Sequence, residues 1–158
     1  MEIRRVCVYC ASSERSDPAY RHAAFQVGEL LASSGIEIVY GGVSFVFTGD
    51  VTRDVERTLA PSFNRAPIRI LKVPHHGSGT SSSQEFLGTL RPDVAVISAG
   101  RGNPFGHPVA SVLERYRNIG AAIYRTDEDG AVSVETDGTK VTITAFTGRR
   151  LTLTTYGR

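Results

Sequence analysis

Residues 40–50 read YGGVSFVFTGD and end on a carboxylate, Asp50. A carboxylate there can hold a divalent cation or move a proton. The chain has four histidines, His22, His75, His76 and His107. Imidazole is the other side chain that does both jobs near neutral pH. His75 and His76 open the run HHGSGTSSS, whose small residues can bring backbone N–H groups against a phosphate. Small polar turns before helices are common, so that run carries little weight alone. Ser78 and Thr80 in this run and Asn103 in the later loop GRGNPFGH are the candidate phosphate contacts. Cys7-x-x-Cys10 has the spacing of a redox or metal pair. On a strand, however, residues i and i+3 point to opposite faces, so buried strand cysteines are expected instead.

Those residues need elements to position them. At 158 residues the chain suits one domain with room for a core. Its 41% apolar and 22% charged composition fits an ordinary globular protein. A formal charge of +2 is too small to argue for nucleic-acid binding by bulk electrostatics. No apolar run reaches the roughly 18 residues of a membrane span. RVCVYC near the start reads as a first strand rather than a signal peptide, because polar residues follow at once. The two cysteines suit a reducing cytosol, and a cytoplasmic location is expected.

A helix is expected over SDPAYRHAAFQVGELLASSG, with Asp17 as cap and Pro18 at its first position. IEIVY and VSFVF follow as strands separated by Gly41-Gly42. A two-residue turn there pairs Tyr40 with Val43, Ile38 with Phe45 and Ile36 with Phe47. All six are apolar and share a face, while Glu37, Val39, Ser44 and Val46 share the other. The stretch therefore reads as a hairpin more than as a strand entering a phosphate loop. TRDVERTLA is an expected helix starting at Thr52, IRILKVP a strand, SSQEFLGTL a helix closing at Pro92, and DVAVISA a buried strand. Pro108 is expected to open the helix PVASVLERYRNIG. AAIYRT, AVSVET, KVTITAF and RLTLTTY alternate with period two between short turns, an antiparallel meander. The expected fold class is α/β: a single layered sheet with flanking helices, ending in that meander.

Two resemblances divide the chain. VCVYCASS, DPAY, GELLASSGI and IVYGG make residues 6–43 resemble the LOG (lonely guy) phosphoribohydrolases, which act on nucleoside monophosphates. The resemblance implies a Rossmann-like β-α-β opening. The third glycine of that family's phosphate loop is Val43 here, and its downstream PGGxGTxxE motif is absent. From residue 40 to 136, YGGVSFVFTGD, ILKVPHHGSGTSSSQEFL, RPDVAVISAG, GNPFGHP and YRTDEDGAV resemble the C-terminal half of the metallo-β-lactamase-fold domain of ComEC-type DNA-internalisation competence proteins. That resemblance implies a dinuclear metal centre acting on a phosphodiester. It makes Asp50 the bridging carboxylate, His76 or His75 a late ligand, and His107 a residue at the mouth of the site. By resemblance Asp50 and His76 are the catalytic candidates, and Asp50, His75, His76 and His107 the metal candidates.

The HxHxDH cluster that supplies the rest of such a site is nowhere in the chain. What remains is an incomplete zinc or manganese site. The chain reads as a chimera within one domain, 1–158: a LOG-like segment, 1–43, and a metallo-β-lactamase-like C-terminal half, 44–158. Three functions follow as expectations. The first is a degenerate hydrolase fold without efficient catalysis that binds a divalent metal or phosphate weakly. The second is a metal-dependent phosphodiesterase or nuclease linked to DNA uptake. The third is a nucleotide-binding or structural module. Expected partners are DNA or a nucleotide phosphate, with an oligomer left open; the ComEC-like parent would be membrane-attached.

Overall fold

A computed structural model describes residues 36–63 and 65–156. The first strand with Cys7 and Cys10, the first helix and His22 lie outside the described residues. The Gly41-Gly42 segment is a hairpin turn. Strand β1 (Ile36–Tyr40) pairs antiparallel with β2 (Val43–Phe47) in the expected register, Ile36 with Phe47, Ile38 with Phe45 and Tyr40 with Val43.

From β2 onward the chain alternates strand and helix. Helix α1 (Arg53–Leu59) leads to β3 (Ile68–Lys72), α2 (Gln84–Leu90) to β4 (Val94–Ile97), and α3 (Ala110–Asn118) to β5 (Ala122–Arg125). The sheet order is β1-β2-β3-β4-β5, and β2 to β5 are parallel. Strands added one after another through right-handed crossovers place the crossover helices α1, α2 and α3 on the same face. Period-two alternation then sorts the side chains. Val46, Leu71, Ala95 and Ile97 point into a core with Phe86, Leu87, Leu90, Val112 and Tyr116 of the helices. Val43, Phe45, Ile68, Ile70, Val94 and Val96 point the other way.

That second face is covered by an antiparallel sheet of β6 (Val132–Thr136), β7 (Lys140–Ala145) and β8 (Arg150–Thr154). Val132, Val134, Val141, Ile143 and Ala145 close the core against it. Among the described residues the layers are helices, a five-stranded sheet and a three-stranded sheet.

AAIYRT, expected as the first strand of the meander, is instead β5, the parallel edge of the large sheet. The chain reaches it through α3, and a strand entered from a crossover helix joins in parallel. The following DEDG is not a plain turn. Its first three residues belong to a single helical turn, α4 (Thr126–Asp129), where Asp129 accepts from Arg125 N and Asp127 pairs with the Arg125 guanidinium. Pro108 lies two residues ahead of α3, whose cap is Val109.

Helix ends follow their residues. Ser83 caps α2, its side chain accepting from Phe86 N at 3.2 Å. Arg91, in the left-handed region at φ 45°, ends the same helix just before Pro92.

The glycines of the hairpin turn serve a backbone contact. Gly42 N donates to Gly138 O at 2.7 Å, tying the turn to the turn between β6 and β7. Gly41 has φ 59°, and a Cβ there would overlap the Gly138 backbone. Gly102 also has positive φ but has open space around it, which separates the two costs. Gly102→Ala bears only the left-handed penalty of about 1–2 kcal/mol. Gly41→Ala adds a collision with backbone, so its urea midpoint should fall clearly further. Equal losses in the two variants would show that the contact with Gly138 is not what requires glycine.

Candidate functional site

Three loops at the carboxyl ends of adjacent parallel strands carry the candidate residues. In open α/β sheets this is the edge where ligands bind. Asp50 follows β2, His75 and His76 follow β3, and Asn103 to His107 follow β4.

The turn after β3 is held under strain. His75 and His76 are both left-handed, at φ 47° and 54°. Such residues cost about 1–3 kcal/mol each and persist only where their surroundings over-determine them. Here His75 N donates to Gly49 O at 3.1 Å, tying the turn to the loop of Asp50. Val109 N donates to Gly77 O at 3.0 Å, tying it to the start of α3. Gly77 allows this because a Cβ would lie 2.5 Å from Pro108 Cβ.

The polar turn is packed inward rather than solvated. Ser81 and Ser82 are fully buried and Ser78 nearly so. Ser81 Oγ donates to Pro74 O and Ser78 O. The fully buried Glu56, from α1, accepts from the backbone N–H groups of both Ser82 and Ser83. Arg53 reaches Gly79 O at 2.8 Å, and Arg115 reaches Ser81 O at 3.4 Å. Ser82 Oγ shares a 2.9 Å hydrogen bond with Tyr116 Oη.

His76 Nδ1 lies 2.7 Å from Ser98 O. A carbonyl only accepts, so Nδ1 carries a proton, and in the neutral ring the Nε2 lone pair is the one open to a cation. Nε2 faces Asp50 Oδ1 at 3.8 Å, with both side chains about half exposed or more. A backbone carbonyl behind a histidine is the arrangement that orients a metal-binding imidazole. Asp50 is not a helix cap; α1 begins from Thr52. His75 Nδ1 lies 3.4 Å from Thr80 Oγ1, and Thr80 Oγ1 is 3.0 Å from Ser78 Oγ. His107 reaches the cluster through its ring, edge-on to His75 with centroids 5.8 Å apart.

Asn103 braces its own loop: Nδ2 donates to Gly100 O and His107 O, and Oδ1 accepts from His107 N. Ser78 is likewise engaged within its turn, while Thr80 is exposed. Sequence reading overlooked Ser98 and Gly49, which contribute carbonyls; no side chain marks a carbonyl in a sequence.

The test for a metal is the donor set. Asp50 and His76 can share one cation. Among the described residues no group of three or more His, Cys, Asp or Glu stands together in metal-holding geometry. A resident zinc site takes about three or four protein ligands. Two donors do not meet that need, so the described residues do not by themselves make a resident metal centre.

Residues 22–101, half of the chain, match the metallo-β-lactamase superfamily, and the chain belongs to it. Within that class its similarities run to competence proteins. It is 31% identical over 132 residues to ComE operon protein 3 of Bacillus subtilis, covering 84% of this chain and 16% of that protein. It is 42% identical over 94 residues to recombination protein 2 of Haemophilus influenzae, covering 60% of this chain and 12% of that protein. It thus spans less than a fifth of the length of these relatives. A smaller stretch, 52 residues or 33% of the chain, is 48% identical to a probable cytokinin riboside 5'-monophosphate phosphoribohydrolase of Oryza sativa subsp. japonica, covering 21% of that protein. No helix among the described residues is long and apolar enough to cross a membrane.

The phenol of Tyr116 titrates well above its ordinary range, chiefly because burial disfavours the phenolate, with Glu56 adding to the effect against the Ser82 hydrogen bond and Arg115. A raised folded value means stability is complete below about pH 10 and is lost as pH climbs from there. Tyr124, shifted up mainly by burial, acts in the same window. Tyr116→Phe cannot ionise. It should lose about 1 kcal/mol at pH 8 with the Ser82 bond. Above pH 10 its stability should fall less steeply than that of the parent, by up to one proton's worth, about 1.4 kcal/mol per pH unit. Urea midpoints from pH 8 to 11 measure both, and parallel curves would contradict this account.

Proposed function

We propose that this chain is a metallo-β-lactamase-fold module of the competence-protein type without efficient catalysis of its own. It retains weak binding of a divalent cation at Asp50 and His76, with His75 and His107 beside them. Exposed Thr80 serves a phosphate of DNA or of a nucleotide, and Ser78 and Asn103 hold the loops in shape. The observation that carries the reading is the pair Asp50–His76. His76 Nδ1 lies 2.7 Å from Ser98 O and Nε2 stands 3.8 Å from the Asp50 carboxylate, and among the described residues no group of three or more His, Cys, Asp or Glu could hold a metal. The absence of an HxHxDH cluster from the sequence supports it.

A second reading, a phosphodiesterase that completes its site with another chain, is favoured by the same half-built pair. The similarity to a phosphoribohydrolase over 52 residues supports a chimeric origin for the opening segment. It leaves nucleotide binding by that segment as the alternative that does not involve Asp50.

Thermal shift with zinc or manganese separates these. At about ten times the dissociation constant a bound cation adds roughly 1.4 kcal/mol, a rise of about 3–6 °C for a chain of this size. Asp50→Ala and His76→Ala should each abolish the rise. Hydrolysis of single-stranded DNA in manganese should not exceed that of Asp50→Ala. Turnover lost in that variant would establish the phosphodiesterase instead, and absence of any shift at millimolar metal would remove the cation site.

A further inference from the structure

Phe105 is 77% exposed, on the loop between β4 and α3. A single exposed aromatic is ordinary in itself. This one differs in how it is held and where it stands. The loop is cross-braced by the three Asn103 hydrogen bonds to Gly100 and His107, so the residue next to Pro104 is carried on a fixed frame. The ring lies nearly parallel to His107, at 27° with centroids 6.1 Å apart. His107 in turn stands edge-on to His75. The aromatic row Phe105, His107, His75 therefore runs from solvent to the turn that carries His76.

Two exposed arginines lie on, or bond to, the loops that carry the row. Arg101, exposed on the same loop, is anchored by Nε to Asp127 O at 3.3 Å, and exposed Arg53 is anchored at Gly79 O. A flat apolar face beside guanidinium groups is the combination that takes a nucleobase and its phosphate together.

We propose that Phe105, backed by His107, is a stacking platform for a nucleobase of single-stranded DNA, setting the strand beside the Asp50–His76 pair. The proposal rests on the DNA reading above and adds the feature that would read bases rather than phosphates. Stacking needs only the π-face, so the platform distinguishes a base-bearing strand from a bare one while tolerating any sequence.

The test compares a labelled oligothymidine with an abasic strand of equal length, by fluorescence anisotropy at low salt. The parent should bind the base-bearing strand more tightly than the abasic one. Phe105→Ala should lose about 5- to 100-fold in affinity for the base-bearing strand. Its affinity for the abasic strand and its thermal midpoint should be unchanged. Phe105→Trp should keep the preference. Equal binding of both strands by the parent, or a preference that survives in Phe105→Ala, overturns the platform but leaves the DNA reading standing. If neither strand binds, the DNA reading falls and the platform with it.

Discussion

Three crossovers of the same hand put α1, α2 and α3 on one side of a parallel sheet. The other side then presents Phe45, Ile70 and Val96, and among the described residues no helix covers them. A parallel sheet is stable only with both faces buried. The small antiparallel sheet meets that demand, bringing Val132, Val134, Val141 and Ile143 against the bare face. Parallel pairing points the ends of β2, β3 and β4 in one direction, so the loops after them lie along one edge. Asp50, His76 and His107 are neighbours because the strands behind them are neighbours.

Much of this was legible. The hairpin register followed from counting apolar residues across Gly41-Gly42, because only one pairing puts six of them on one face. The strands of the large sheet read as short apolar runs between turn residues. AAIYRT misleads because its alternation matches an antiparallel strand, and alternation carries no information about direction. The glycine pair itself was ambiguous between a phosphate loop and a turn. Its reason, the nearby Gly138, lies almost a hundred residues away in the sequence.

The site shows the same division. Residue types located the candidate donors: carboxylate and imidazole at the ends of strands. What the types did not show is how the backbone aims them. Two consecutive left-handed histidines are rare, and only the packed frame of Gly49, Gly77 and Val109 explains them. HHGSGTSSS read as a small polar turn. Ser81 and Ser82 are instead fully buried, and the buried Glu56 accepts from the Ser82 and Ser83 amides. Small polar residues look alike in a sequence whether water or a carboxylate satisfies them.

The contact between Gly42 and Gly138 sits at the amino ends of the parallel strands, the far end from the candidate site. At the opposite end the two sheets part into a cleft lined by Phe47, Lys72, Val96, Thr126 and Val132. The sheets are joined at that end too, where the chain runs from β5 through α4 into β6 and Asp129 O accepts from Thr147 N. The small sheet is thus tied at both ends of the parallel strands, and the loops of Asp50 and the histidines start from the margin at which the backbone itself passes from one sheet to the other.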